Sequence, residues 1–254
     1  MDILATMAEA ARIRYSGKHD AHIEQAAFEH RLETPCFATV LRQNRLSLIA
    51  EVKKASPSQG IITETFNPVA QAEAYVRSGA HAVSVLTEPT QFLGSNAYLK
   101  QISDAVPTPV LRKDFIVTTY QILEARLLGS SAVLLIAAIL DAKSLETYLA
   151  LAASLGLDAL VEVHDEQELD RALSAGATLI GINNRNLHTF VVDIRTSLKL
   201  RPRIPDTCTK VSESGIRSKA EALQLKAAGF DAILVGEHLM RANNTLQAVQ
   251  DLLV

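Results

Sequence analysis

Glu51 and Lys53 sit two residues apart in the apolar run Leu48-Ile49-Ala50-Glu51-Val52-Lys53. In an extended strand that spacing puts a carboxylate and an ammonium on the same face. A charge placed in such a run is costly unless it is paired, so the two residues form either a structural ion pair or part of a site. The pattern recurs along the chain. Other apolar runs end in Val110-Leu111-Arg112-Lys113-Asp114, Leu160-Val161-Glu162-Val163, Ile182-Asn183-Asn184-Arg185 and Val211-Ser212-Glu213-Ser214-Gly215. Packing explains one such pair as well as function does. It does not explain three glutamates, two lysines, Arg185 and Asn183 gathered at the ends of separate runs. Lysines beside carboxylates and partly desolvated have pKa values open to movement toward working pH, as general acid–base catalysis requires.

The elements that would bring these residues together are repetitive. Five times a helical stretch closes on a glycine and an apolar, β-branched run is under way four residues later: Gly79 with Val83, Gly129 with Val133, Gly156 with Leu160, Gly176 with Ile180 and Gly229 with Ile233. Glycine past a helix end takes the left-handed conformation that closes the last turn. The runs are apolar on both faces, as strands covered by helices in a parallel sheet should be. Asn67-Pro68, Asp141, Asp165 and Ser218 with Glu221 read as helix starts. Eight strands are expected, centred near Ile49, Val83, Leu111, Leu134, Leu160, Ile180, Val211 and Leu234, about 20 to 35 residues apart, one βα unit each. The expected fold is therefore α/β: one (β/α)8 TIM barrel over residues 1–254, with 1–45 as an N-terminal helical extension covering its bottom or flanking its mouth. An open doubly wound sheet is disfavoured, because no G-x-G-x-x-G or Walker sequence is present.

Chemistry in such a barrel sits at the C-terminal ends of the strands, and phosphate binds at the loops after strands seven and eight. Ser214-Gly215 and Val235-Gly236-Glu237 occupy those loops, and glycine lets backbone N–H groups approach an anion. For Glu237 the N–H is expected to matter, with the carboxylate turned to solvent. A net charge of −3 gives no field for nucleic acid. The apolar stretch Ala132–Leu140 is too short to span a bilayer, and Met1–Arg14 does not read as a signal peptide. Cys36 and Cys208 read as free thiols of a cytoplasmic protein. His81, His188 and His238 share no ligand spacing, so no metal is expected. Ser56 and Ser214 lack His–Asp partners for a nucleophilic triad. His164 reads as a loop histidine that caps or is solvated.

The same segments resemble indole-3-glycerol phosphate synthases. Leu48–Gly60 looks like that family's signature, and Ser84–Glu88, Phe92–Ser95, Val110–Ile116, Leu160–Val163, Ile180–Leu187, Glu213–Ile216 and Leu234–Met240 match in order. Met1–Arg31 shows little of the pattern, and Gly129-Ser130-Ser131 departs from the usual Gly-Ala-Asp. The resemblance implies ring closure of 1-(2-carboxyphenylamino)-1-deoxyribulose 5-phosphate, with loss of carbon dioxide and water, in tryptophan biosynthesis. It implies Lys113 as the acid at the substrate carbonyl. Lys53 and Glu162 would divide protonation of a hydroxyl and removal of a ring proton, Glu51 would hold the lysines and Asn183 would orient the reacting groups. Ser56, Arg185, Glu213 and Ser214 would line the substrate site, and Pro57, Phe92, Phe115 and Leu134 would form a slot for the aromatic ring. Gly215, Gly236 and Glu237 would offer backbone to the phosphate, with charge from Lys53.

The implied partner is a small phosphorylated substrate, with no cofactor, nucleic acid or membrane, and with the chain a monomer lacking a fused domain. A related sugar-phosphate isomerase would rely on an Asp or Cys acid–base pair instead. A ligand-binding barrel without catalysis would have no reason to keep buried lysines. Turnover is expected to survive exhaustive chelation; strong inhibition by a chelator would reveal a required metal.

Overall fold

Eight parallel strands close into a barrel in the order in which they occur along the chain. They are β1 (Ser47–Val52), β2 (Ala82–Leu86), β3 (Val110–Lys113), β4 (Ala132–Ile136), β5 (Asp158–Val163), β6 (Leu179–Asn183), β7 (Thr209–Glu213) and β8 (Ala232–Val235). The ring is completed where β1 pairs with both β2 and β8. In the computed structural model, residues 3–30, 35–63, 65–186 and 189–254 are described. Leu187, the last residue of the Ile180–Leu187 block, and His188 lie outside them. Each of the eight expected strand centres falls within one of these strands. The five glycines expected to close helices all have positive φ, from +69° at Gly156 to +106° at Gly79.

Strand periodicity divides the core into two layers. Ile49, Leu111, Leu134, Leu160, Val211 and Leu234 point inward and fill the barrel. Their neighbours Leu48, Ala50, Val83, Val133, Leu135, Val161 and Ile233 point outward and pack under the helices. Helix starts follow the sequence chemistry. Asn67, Asp141 and Asp165 accept backbone N–H bonds of 3.0, 2.7 and 2.8 Å from Ala70, Ser144 and Glu168. Ser218 caps as expected, accepting from the Glu221 N–H. The Glu221 carboxylate, however, reaches one residue further back than in a capping box and accepts from the Arg217 N–H at 2.7 Å.

The extension does both of the things open to it. Helix α3 (Phe37–Leu41) follows α1 (Ile3–Tyr15) and α2 (Ala21–Glu29). Its Phe37 and Leu41 close the barrel's bottom, packed into the inner layer, and its Ala38 N–H donates to Asp158 at the start of β5. Helix α1 lies at the other end, flanking the mouth with Ile3, Leu4 and Met7.

One buried arginine fixes α1 there. Arg112 alternates with Lys113 and so points out of the barrel, under α4 (Thr119–Leu127). Its guanidinium is fully buried and donates to Glu124 at 2.8 Å, the Tyr15 hydroxyl at 2.9 Å, the Gln121 carbonyl at 2.9 Å and Asp114 at 3.2 Å. Deleting one partner of such a cluster strands the others without compensation. Arg112→Ala should therefore lose about 3–5 kcal/mol of stability, read as a lower urea midpoint; an unchanged midpoint would show that the cluster does not hold the helix.

Candidate active site

The inward positions one step above the apolar plug carry the polar residues. Ile49 is followed two residues on by Glu51, Leu111 by Lys113, Leu160 by Glu162 and Val211 by Glu213. Asn183 occupies the same level two residues beyond Gly181, whereas its neighbour Asn184 faces outward, hydrogen-bonded to Ser212 and the Ser197 N–H. Above them opens a cavity of about 410 Å³, within the size range of a small-molecule site. All the residues singled out in the sequence line it: the five polar groups just named with Lys53, the aromatic-slot residues, Ser56, Arg185, Ser214 and the Gly215 and Gly236–Glu237 backbone. A Cβ at Gly181 would stand 2.1 Å from Glu213 Oε1, so any larger residue there would displace that carboxyl group.

Lys113 is the hub. Its Nζ lies 3.3 Å from Glu162 Oε2 and 3.7 Å from Glu213 Oε2, while Lys53 Nζ meets Glu51 Oε1 at 2.7 Å. Burial opposes the Lys113 ammonium, but the charges of Glu162, Glu213 and Glu51 outweigh it and raise the pKa. The expectation of a lysine moved toward working pH is therefore corrected for Lys113: the negative charge gathered around one ammonium, Glu162 foremost, holds its proton more tightly. Burial likewise disfavours ionised Glu162, yet Lys113, His164 and an Asn183 hydrogen bond overcome it and bring its pKa down. Glu213 differs. Burial, together with the nearby Glu162 and Glu51 charges, pushes it up to about 8 against the attraction of Lys113, and its Oε1 finds no hydrogen-bond donor among the described residues.

Two further expectations change. The Glu237 carboxylate does not simply turn to solvent; it lies 3.8 Å from Arg185 and 3.5 Å from Arg241, two cations that neutralise it beside the anion loops. His164 is not a solvated loop residue. Its Nε2 lies 3.4 Å from Glu162 Oε1 and its Nδ1 3.0 Å from Glu168 Oε2. Burial disfavours the imidazolium, but the contacts with Glu162 and Glu168, the latter a hydrogen bond, and the charge of both glutamates raise its pKa to about 10.

Several residues of the site carry weak sequence signals. Glu88 is buried and accepts from the N–H groups of Thr90, Gln91 and Phe92 at 2.9, 2.7 and 3.0 Å, which fixes the loop presenting Phe92. Arg14 of α1 reaches the same carboxylate at 3.3 Å. Asp114 holds the Phe115 N–H at 2.9 Å, and the two rings stand 6.3 Å apart, centroid to centroid. The spacing of Ile3 and Met7, one helical turn apart, was a usable signal for a face turned to the mouth. At the anion loops, Ser214 and Gly215 have φ of +68° and +81°. A Cβ on Gly236 would stand 2.3 Å from Glu51 Oε1, so that backbone passes directly over the charged layer.

A sequence profile of indole-3-glycerol phosphate synthase matches residues 4–252. The chain belongs to the indole-3-glycerol phosphate synthase family. The match includes residues 4–31, which by motif alone show little of the family pattern. A curated indole-3-glycerol phosphate synthase of Chlorobium chlorochromatii is 58% identical over 192 residues, 76% of this chain and 75% of its own length. One from Lactiplantibacillus plantarum is 51% identical over 232 residues, 91% of this chain and 88% of its own. Among solved structures, 3-hexulose-6-phosphate synthase from Salmonella typhimurium superposes with a TM-score of 0.67 at 14% identity, covering 82% of this chain and 96% of that one. That likeness shows the shared TIM-barrel fold alone.

In this member of the synthase family, Glu213 makes the site's electrostatics visible in stability. Its folded pKa, about 8, lies above the ordinary 4.5, so the folded state holds the proton more tightly than the unfolded chain. The stabilisation this gives is complete below pH 4.5 and is lost as pH rises through about 8. Glu213→Gln removes the titration. The stability of the wild type relative to this variant should fall across that window and level off above it, in urea melts at a series of pH values. A difference independent of pH would show that the carboxyl is not held protonated.

Proposed function

We propose that the chain closes the indole ring of 1-(2-carboxyphenylamino)-1-deoxyribulose 5-phosphate, using the layer of side chains over the barrel plug as its proton donors and acceptors. The arrangement that carries this reading is Lys113 at 3.3 Å from Glu162 on the floor of a cavity that also presents an apolar end and glycine-lined anion loops. The ring carbon bearing the carboxylate attacks the ketone, and the carbonyl oxygen takes a proton from Lys113. The bond to the carboxylate then breaks, its electron pair restoring the aromatic ring as carbon dioxide leaves. Dehydration follows: the new hydroxyl is protonated and departs as water while a carbon-bound proton is removed. Lys53 and Glu162 serve these last two transfers, with Glu51 holding Lys53 and Asn183 holding Glu162. Every step is a heavy-atom bond change or a proton transfer that these side chains serve.

Phe92, Phe115, Pro57 and Leu134 receive the anthranilate ring. Its orientation is what makes carbon attack intramolecular and aligned. Ser56, Arg185, Glu213 and Ser214 contact the sugar and carboxylate portions. The Gly215 and Gly236–Glu237 backbone, with the Lys53 charge, receives the phosphate. We further assign a monomer acting in the cytoplasm, a setting suited to the two free thiols.

Incubation with this substrate should generate indole fluorescence. Lys113→Ala should retain the fold by circular dichroism yet lower kcat by about 10²–10⁴, the usual contribution of a positioned proton donor. Turnover near that of the wild type would remove Lys113 from its role.

A further inference from the structure

The proton balance of the reaction above does not close inside the site. Two protons go to oxygen, one at the carbonyl and one at the departing hydroxyl, and one comes back from carbon. The substrate carboxylate leaves as neutral carbon dioxide, so each turnover consumes one proton from solvent. Yet the groups that need it are covered. The Glu162 side chain is 3% exposed and that of Lys113 16%, and bound substrate would fill the cavity above both.

The structure offers a second way in. A separate cavity, of about 550 Å³, lies along a neighbouring face of α1, with Leu4 lining both. Its wall contains His164, Glu168 and Asp165 from the end of β5 and the start of the following helix, and Arg12 from α1. His164 bridges the two spaces. Nε2 faces Glu162 Oε1 at 3.4 Å, and Nδ1 faces Glu168 Oε2 at 3.0 Å. Beyond Glu162, the other carboxyl oxygen faces Lys113. The result is a line of exchangeable groups, second cavity, Glu168, His164, Glu162, Lys113, hydrogen-bonded at each end, with a 3.4 Å charge contact at its centre whose Nε2–H has no other partner among the described residues.

We propose that His164 is a proton inlet, carrying protons from the second cavity to the Glu162–Lys113 pair while the first cavity is occupied. The Nε2–H bond breaks as an Oε1–H bond forms on Glu162. A turn of the carboxyl group presents that proton to the neutral Lys113 amine; the imidazole, left as its Nδ1–H tautomer, turns about its Cβ–Cγ bond to present the vacated Nε2 to the second cavity, takes a proton there from a solvent acid and turns back. One proton enters per cycle, and every group returns to its starting charge. The elevated pKa of His164 means that the donor is loaded at neutral pH. Glu162 and Glu168 raise it, and Arg12 and Asp165 are the other charges lining its cavity. His164 is thus a positioning residue that acts through Glu162, without touching substrate.

The inference rests on the proposed ring closure, and the test separates the two. Wild type, H164A and H164Q are assayed for indole fluorescence from the carboxyphenylamino substrate, with and without added imidazole. The expected result is a fall in kcat of about tenfold or more for both variants, with KM changed by no more than about twofold. In H164A, imidazole diffusing in from the second cavity should restore part of kcat. The solvent deuterium effect on kcat should also rise in the variants, as proton delivery becomes limiting. A kcat near wild type, or a loss that imidazole leaves untouched, would overturn the inlet and leave the ring closure standing. A wild type that gives no indole product would overturn both. Should H164A fail to fold by circular dichroism, E168Q reads the same step from outside the first cavity. A slower kcat with a larger deuterium effect supports the inlet, and wild-type behaviour rejects it.

Discussion

One ammonium set among carboxylates, on top of a dry apolar plug, governs the rest of this site. Lys113 could not stay charged over Leu111, Leu134 and Leu160 without partners. The partners it has, Glu162 and Glu213, could not both stay ionised so close together without it. The compromise is asymmetric. Glu162 also receives His164 and Asn183 and remains an anion, while Glu213 has no such support and holds its proton to about pH 8. Two chemically identical side chains on strands two places apart in the barrel thus offer different proton chemistry at neutral pH, and the difference comes from their surroundings alone.

The alternation of strand residues explains why so much of this arrangement was legible in the sequence. Glu51 with Lys53, Lys113 two residues after Leu111, and Glu162 two residues after Leu160 declare a shared face as soon as their runs are recognised as strands. The glycines at 79, 129, 156, 176 and 229 mark the repeat that makes those runs a closed ring. What the sequence conceals is whatever depends on distances between units. That Lys113 is held charged rather than tuned toward neutrality follows above all from the 3.3 Å approach of the Glu162 carboxylate on β5. His164 and Glu237 were misjudged for the same reason: their partners, Glu162 with Glu168 and Arg185 with Arg241, become partners only through the geometry of the rim.

The N-terminal extension is the other part that periodicity could not assign, because both ends of the barrel offer it an apolar surface. It uses both. Phe37 and Leu41 stop the bottom, while Arg14 and Tyr15 bind Glu88 and the Arg112 cluster beside the mouth. Glu88 in turn holds the backbone of Phe92, and Asp114 that of Phe115. Helix α1 is therefore joined through two buried carboxylates to the aromatic walls of the cavity, so the shape presented to a ring depends on a segment that contributes no polar group to the reaction layer.

The outward placement of Arg112 beside the inward placement of Lys113 has a wider consequence. Residues that hold helices to the sheet and residues that face the cavity alternate along a strand, and each set meets different neighbours. An exchange at one inward position above the plug alters the tools at the mouth while the helix-facing contacts keep their partners. A scaffold partitioned in this way is suited to retooling: its workbench and its foundations are read from the same strands, one residue out of step.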